Sequence, residues 1–150
     1  MPKSNQYEIS TDKSRLNVEL IFGFLHSSYW AQNIPRNVVE KCVRHSLCFG
    51  AFCDTRQVGF GRVITDFATF AYIADVFVVP EHRGRGVSKQ LLRAMLEHPE
   101  LQGLRRILLA TQDAHGLYSQ FGFQSLTNPE HYMTIHHPDV YRSKQKVMEE

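Results

Sequence analysis

The chain has 150 residues, of which 43% are hydrophobic and 21% charged, and its formal net charge is +2. A chain of this size and composition can bury one ordinary core, so we expect a single domain over residues 1–150. The net charge is small and the lysines and arginines are scattered, a distribution that does not indicate a nucleic-acid-binding protein.

Cysteine usage and hydropathy bear on the location of the protein. Cys42, Cys48 and Cys53 form an odd set without C-x-x-C spacing, which argues against a disulfide framework and against a cysteine zinc site. The N-terminus has no apolar signal-type region, and no segment approaches the ~20 apolar residues that cross a bilayer. We therefore expect a cytoplasmic protein with no membrane partner.

The first third of the chain predicts a short strand at residues 7–10 and two helices. Asp12 or Ser14 is available to cap the first helix, and the second is expected to begin near Pro35. Apolar residues at helical spacing mark the first helix (Val18, Ile21, Phe22, Leu25 and Tyr29) and the second (Val38, Val39, Cys42 and Val43).

The middle of the chain changes to the two-residue period of strands. Residues 47–53 and 57–65 flank a turn and predict two antiparallel strands. A third strand is predicted over residues 70–79, which are apolar on both sides except for Asp75. Because such a strand is typical of burial on both faces, we expect it to be the central one.

The last third predicts a helix, a strand and a short helix. Val87, Leu91, Leu92, Met95 and Leu96 form an apolar stripe that is followed by a strand at 105–111. Strands joined through a helix are parallel, which puts the loop before that helix at the carboxyl end of the 70–79 strand. A short helix near 115–121 and weak strands around Phe123 and at 132–135 complete the prediction.

The loop Arg83-Gly84-Arg85-Gly86-Val87-Ser88 joins the apolar strand to the helix. Free N–H groups and the positive end of the helix dipole favour an anion there, and arginines add charge, so the loop predicts a phosphate or pyrophosphate cradle. The alternative is a tight turn with solvated arginines. Neither an ATP-type G-x-x-x-x-G-K-[ST] motif nor a dinucleotide fingerprint is present.

The loop resembles the acetyl-CoA loop of the GNAT superfamily of N-acetyltransferases, whose pattern is Gln/Arg-x-x-Gly-x-Gly/Ala. The family's later Tyr-x-x-x-Gly-Phe motif is similar to the segment from Tyr118 to Phe123. The motifs stand in the family's order, and the two early helices match its layout. Ser88 occupies a position where the family usually has glycine or alanine. Its hydroxyl is small and could itself donate a hydrogen bond to a phosphate.

The resemblance implies an α/β (α+β) fold: one domain with a mixed, mostly antiparallel central sheet flanked by helices, and with parallel strands splayed at the acetyl-CoA site. It implies that residues 83–88 bind the CoA pyrophosphate and that the strand edge at Phe77, Val78 and Val79 binds the pantetheine arm. Acetyl-CoA is then the co-substrate, and no metal is needed. Dimers are common in that family, so a homodimer is consistent with the resemblance.

Two residues are candidates for proton transfer. Asp75, two residues before the implied pantetheine strand, is interpreted as the base or the amine anchor, with a structural aspartate as the alternative. Tyr118 matches the family's tyrosine that protonates the departing CoA thiolate, and the alternative is a core tyrosine. His115 lies three residues earlier and could relay protons, although a surface histidine is the more frequent case.

Specificity for the acceptor is expected from the turn between the first two helices. Tyr29 and Trp30 are large amphipathic residues there and predict an aromatic acceptor pocket, while Tyr29 also continues the apolar stripe of the first helix. Asp66 fits a solvated turn better than a binding site. The clustered histidines at positions 131, 136 and 137 lack partners at ligand spacing and do not predict a metal site.

These observations predict an acetyl-CoA-dependent N-acetyltransferase that acts on a primary amine, of a small molecule in the first instance and of a protein in the second. A non-catalytic CoA-binding module is the chief alternative, and a phosphate-ligand binding domain is the third.

Overall fold

A computed structural model of the protein describes residues 6–142. The elements in chain order are β1 (Tyr7–Ser10), α1 (Val18–Ser27), α2 (Arg36–His45), β2 (Leu47–Cys53), β3 (Arg56–Thr65), β4 (Phe70–Val78), α3 (Val87–Glu97), β5 (Arg106–Leu109) and α4 (His115–Ser119). Short 3-10 turns lie between several of them. No helix within this range is long and apolar enough to cross a membrane.

The helix starts follow from local side-chain chemistry. The carboxamide of Asn17 accepts a hydrogen bond from the N–H of Leu20 and caps α1. Asp12, predicted as a cap of this helix, instead caps the 3-10 turn that precedes it. Pro35 stands at the N-cap of α2, where its missing N–H costs no hydrogen bond. Both helices are therefore present as predicted, but α1 begins three residues after the position expected from Ser14.

The sheet has five strands in the order β1-β2-β3-β4-β5. The first four are antiparallel, and β4 and β5 are parallel. The middle position belongs to β3, so the prediction that the 70–79 strand is central was wrong. Its continuous apolar pattern arises because helices cover both of its faces, which does not require the middle position.

Helices cover the two faces of the sheet and create two cores. On one face, Leu91, Leu92 and Met95 of α3 pack on strand side chains such as Phe49 and Ile73. On the other face, residues of α1 and α2, including Ile21, Leu25 and Val39, pack on Cys48, Phe60 and Phe77. The sheet is thus held between layers of helices, which confirms the predicted fold class.

The two weak strands predicted after α4 are not formed, and that prediction was wrong. Residues around Phe123 and over 132–137 belong to no strand, and the side chains of Met133 and Ile135 are 97% and 89% exposed. A strand requires a hydrogen-bonded neighbour as well as an apolar pattern. The only edge close in the chain is that of β5, which pairs with β4 alone within the described range.

Candidate active site

The site begins where β4 and β5 separate. Their parallel pairing extends from Phe70 opposite Arg106 to Ile73 opposite Leu109 and stops there. Strand β4 continues to Val78, so its last residues have an unpaired edge on the β5 side. Peptide groups along a strand alternate in direction, and the N–H of Val79 donates to Val58 on the β3 side. The peptide N–H of Val78 therefore points towards the open side.

A β-bulge at Asp75 coincides with this separation. Asp75 has a φ of +58°, a left-handed conformation that is costly for a residue with a Cβ atom. The register between β3 and β4 shifts here, since Arg62 pairs with Ala74 but Phe60 pairs with Phe77. The extra residue inverts the alternation of side chains, so that Phe77 packs in the core under α1 and α2.

The Asp75 carboxylate is held by two donors. Nε of Arg62 donates at 2.6 Å and Nε1 of Trp30 donates at 2.8 Å. The guanidinium of Arg62 also donates to the hydroxyl of Ser46 at 3.1 Å. The side chains of Arg62 and Asp75 are only 15% and 8% exposed, so the ion pair lies in a partly dehydrated site where removal of one partner is expensive. The Asp75 carboxylate is thus already engaged by two donors of the protein at the position of the bulge.

The glycine-rich loop follows a 3-10 turn at Pro80–His82. Gly84 and Gly86 have φ values of +76° and +80°, which other residues adopt only at a cost. Gly86 is the N-cap residue of α3 and supplies no side-chain cap. The backbone N–H groups of residues 84–89 donate no hydrogen bond to any residue in the described range.

These N–H groups give the loop the donors that an anion site needs. Consecutive free donors at a helix start, together with the positive end of the helix dipole, bind phosphate oxygens. The side chain of Arg83 turns back and donates from Nε to the carbonyl of Val78 at 3.0 Å, which ties the loop to the end of β4. Arg85 is exposed. The two arginines therefore differ: Arg83 shapes the loop, and Arg85 is available to a ligand.

Tyr118 is partly buried on α4 and packs with its ring edge-to-face against Phe123, the ring centroids being 5.8 Å apart. Burial raises the pKa of Tyr118, and the nearby Tyr29 and Asp113 raise it further. The phenol is therefore protonated at neutral pH and can act as a proton donor. His115 is exposed on the same helix.

Tyr29 and Trp30 form one end of an aromatic wall. Helix α1 ends at Ser27 and Tyr29 is 54% exposed, so the interpretation of Tyr29 as part of the α1 core stripe was wrong. The rings of Tyr29 and Trp30 meet edge-to-face at 5.0 Å. Trp30 then contacts Phe24, with centroids 6.3 Å apart, and Phe24 stacks on Phe77 at 4.0 Å. The wall connects the α1–α2 turn to β4 beyond the bulge.

Several residues in this region were not predicted from the sequence. Arg62 was missed because a single arginine in an apolar strand has many explanations. The signal that could have identified it is the presence of one opposite charge, Asp75, in the next apolar strand. Asp113 lies in the segment between β5 and α4, and its carboxylate accepts a hydrogen bond from the hydroxyl of Tyr29 at 3.4 Å. Phe24 was not singled out because it is one of several apolar residues in α1.

Other candidates lie away from the site or have local roles. Asp66 accepts hydrogen bonds from the backbone of Ala68, Thr69 and Phe70 in its own turn, and these bonds hold its pKa well below the usual range. Within residues 6–142 no group of histidines, cysteines or carboxylates is arranged to hold a metal ion. The three cysteines are unpaired thiols.

The five-stranded mixed sheet opens between two parallel strands, with a glycine loop and a helix N-terminus at the opening, and this is the arrangement that the resemblance to acetyltransferases implies. Comparison with known proteins agrees. The sequence model of the acetyltransferase (GNAT) family matches residues 13–123. The chain belongs to the GNAT family of acetyltransferases, which use acetyl-CoA as the acetyl donor.

Individual relatives show the same relationship. The crystal structure of a protein from Xanthomonas campestris pv. campestris, described as an acetyltransferase of the GNAT family, has a TM-score of 0.89 and 52% identity over 94% of this chain and 98% of that one. A protein of Gibberella zeae that bears the name of an acetyltransferase is 34% identical, with 76% of each chain covered. Thialysine N-epsilon-acetyltransferase of Bos taurus is 31% identical over 49% of this chain and 48% of that protein.

Proposed function

We propose that the protein transfers the acetyl group of acetyl-CoA to a primary amine of a small molecule. The observation that carries this proposal is the row of unsatisfied backbone N–H groups at residues 84–89, next to the open edge of β4. The N–H groups suit the pyrophosphate of a CoA thioester, and the open strand edge suits its amide-containing arm.

The donor would bind in two parts. The backbone of Arg83, Gly84, Arg85, Gly86, Val87 and Ser88 would bind the pyrophosphate, and the edge of β4 at Phe77, Val78 and Val79 would pair with the pantetheine arm. The outward N–H of Val78 is the amide on this edge that is suited to the donor. Ser88, in the first turn of α3, adds a hydroxyl to the donors of the loop.

The reaction would be direct attack. The neutral amine nitrogen forms a C–N bond with the thioester carbonyl, and a backbone N–H of β4 stabilises the oxyanion that develops. The C–S bond then breaks, and the hydroxyl of Tyr118 gives its proton to the departing thiolate. The amine nitrogen loses one proton to solvent as the amide forms, and solvent returns one proton to the Tyr118 phenolate. The products are the N-acetyl amide and the free thiol of CoA.

The acceptor class is supported by the aromatic wall and by one relative. Tyr29 and Trp30 are exposed aromatic residues, and Tyr29 lies close enough to Tyr118 to act on its pKa, which suits a small ligand with an alkyl or cationic part. The bovine relative bears the name of a thialysine acetyltransferase, which is consistent with a small-molecule amine. A lysine or N-terminal amine of a protein is the second candidate acceptor.

Asp75 has three candidate roles: base, amine anchor and structural support. Its hydrogen bonds to Arg62 and Trp30 favour structural support, because they occupy the carboxylate that a base or an anchor would need.

Thermal denaturation with four additions tests the proposed donor: none, acetyl-CoA, CoA and ATP. Saturation at 100 times Kd adds about 2.7 kcal/mol, which raises Tm by roughly 5 to 11 °C for a domain of this size. We expect this shift with both CoA forms and none with ATP. Release of free thiol in the presence of an amine panel then tests catalysis. Binding without turnover of any amine would support the non-catalytic CoA-binding module instead.

We also infer a homodimer and a cytoplasmic location. The outer edge of β5 and the exposed side chains of Met133 and Ile135 are features that another chain commonly covers. Light scattering should give twice the monomer mass for the parent protein and the monomer mass for the Met133→Glu, Ile135→Glu double variant. A monomeric parent protein would contradict the dimer.

The cytoplasmic location is supported by the three free thiols, which fit a reducing compartment. Cell fractionation tests it.

A further inference from the structure

Two carboxylates lie close to the candidate active site, and they differ in whether a cationic side chain pairs with them. Asp75 is paired with Arg62 at 2.6 Å. Asp113 has no lysine or arginine within ion-pair distance among residues 6–142, and its one side-chain partner is the Tyr29 hydroxyl, a neutral donor. The negative charge that a ligand would meet is therefore that of Asp113.

Asp113 lies at the open end of the aromatic wall. Its Oδ1 is 3.4 Å from the hydroxyl of Tyr29, whose ring meets that of Trp30 at 5.0 Å. All three side chains are exposed. Asp113 is also close enough to Tyr118 for its charge to act on the phenol. A carboxylate beside two exposed aromatic rings is a combination that attracts an organic cation through charge and through the ring faces.

The cation cannot be the reacting nitrogen itself. That nitrogen attacks only as a neutral amine, and a carboxylate that stabilised its ammonium form would oppose the reaction. The group that matches Asp113 is a second positive centre elsewhere on the acceptor. Its attraction to Asp113 leaves the other amine free to approach the thioester near Tyr118.

We propose that Asp113, with Tyr29 and Trp30, binds a distal ammonium group of the acceptor, so that the substrates are diamines or amino acids with a second amino group. The proposal rests on the proposed function and names its substrate class. It also moves the anchoring role first considered for Asp75 to a residue outside the sheet.

Trp30 is the only tryptophan of the chain, so its fluorescence reports ligand binding without any turnover. The CoA-saturated protein is titrated with α,ω-diamines of three to six carbons and with the amino alcohols of the same lengths. Each amino alcohol keeps the reacting amine and replaces the distal ammonium by a hydroxyl. We expect the best diamine to bind at least about 5-fold more tightly than its amino alcohol, the upper range of an exposed ion pair, and this preference to fall in high salt.

Two variants complete the test. Asp113→Asn should reduce the preference for the diamine to less than about twofold while leaving the affinity for the amino alcohol unchanged. Asp54→Asn is the matched control, because Asp54 is an exposed aspartate in the β2–β3 turn with a φ of +56°, which asparagine also tolerates; it should keep the parent preference. The Tm shift with CoA in both variants establishes that the fold and the donor site are intact.

Equal affinities for diamine and amino alcohol in the parent protein, or no fluorescence response to any diamine, would overturn the proposal. So would equal losses for both ligands in Asp113→Asn. The proposed function fails separately: absence of a Tm shift with CoA refutes the donor site, whereas a CoA shift and amine acetylation without diamine preference refute only the role of Asp113.

Discussion

Arg62 and Asp75 face each other across the β3–β4 bulge, with Nε of the arginine 2.6 Å from Oδ2 of the aspartate. The pair lies where β4 separates from β5, and Asp75 has the left-handed backbone that creates the bulge. The hydrogen bonds that Arg62 and Trp30 donate to the Asp75 carboxylate offset the free-energy cost of this backbone conformation. We therefore expect the ion pair to support the backbone geometry at the open edge of β4.

Arg62→Met should destabilise the protein by about 3 kcal/mol, because it leaves the Asp75 carboxylate buried without its cation. The corresponding fall in Tm is roughly 6 to 12 °C. Arg93→Met is the control, since Arg93 is an exposed arginine of α3 and its loss should shift Tm by less than about 2 °C. Equal Tm values for the parent and Arg62→Met would contradict a supporting role for the pair.

Asp75→Asn distinguishes the candidate roles of this residue. If Asp75 is structural, the variant loses stability because Arg62 is left unpaired, while the pH dependence of kcat/KM keeps its shape. A flattened pH profile at unchanged Tm would identify Asp75 as the base. A rise in the KM for the amine alone would identify it as the anchor. Denaturation curves and pH profiles of the same preparation make the distinction.

Gly86→Val should abolish CoA binding while the domain still folds. The φ of +80° at Gly86 costs a β-branched residue roughly 1 to 3 kcal/mol, so the loop is expected to change conformation and lose its row of aligned N–H groups. No atom lies within 4 Å of a Cβ at this position, so steric clash with the core is not the cause. Gly116→Ala in α4 is the control, and calorimetric titration with CoA is the measurement. Tight binding by Gly86→Val would show that the cradle is elsewhere.

Tyr118→Phe should lower kcat about 10-fold or more while leaving the Kd for acetyl-CoA nearly unchanged, because loss of a general acid affects the transition state and not the ground state. Tyr72→Phe serves as the control, since Tyr72 is a tyrosine of β4 outside the proposed machinery. Thiol release under saturating substrates gives kcat. An unchanged kcat would exclude the assigned role.

Burial raises the pKa of Tyr118, and this makes a prediction about alkaline pH. The phenol stays protonated to a higher pH in the folded protein than in the unfolded chain. Its contribution to stability is fully present below the unfolded pKa of about 10 and is lost as pH rises through the folded value. We expect kcat to show no tyrosine-dependent decline between pH 7 and 9.5. A decline in that interval that disappears in Tyr118→Phe would contradict the raised pKa.

Cys48 is expected to be the least reactive thiol. Its side chain is buried between α2 and the sheet, and burial raises its pKa to about 11, so little thiolate is present at pH 8. Cys42 and Cys53 are partly exposed and should react first with a disulfide reagent. Mass spectrometry of peptides after a short pulse measures the order. Labelling of Cys48 as fast as Cys53 in the native protein would contradict its burial.

Local patterns in the sequence determined most of the secondary structure and the position of the glycine-rich loop. Helical spacing of apolar residues predicted α1, α2 and α3, and the two-residue period predicted β2, β3 and β4, because these periodicities record which side chains must leave water. The glycines at positions 84 and 86 predicted the loop, since positive φ values are a local property of the backbone.

The tertiary structure alone decided what surrounds Asp75. Strict alternation from Ala71 and Ile73 would place its side chain on the face covered by α3, but the bulge turns it towards Trp30 and Arg62 on the opposite face. A bulge depends on the partner strand, which no local period records. The same reason applies to Asp113, whose hydrogen-bond partner Tyr29 is 84 positions away in the chain. It also applies to residues 132–135, which are apolar but have no neighbouring strand to pair with in the described part of the chain. Local sequence specifies conformational preference, whereas contacts between distant segments specify which groups share a site.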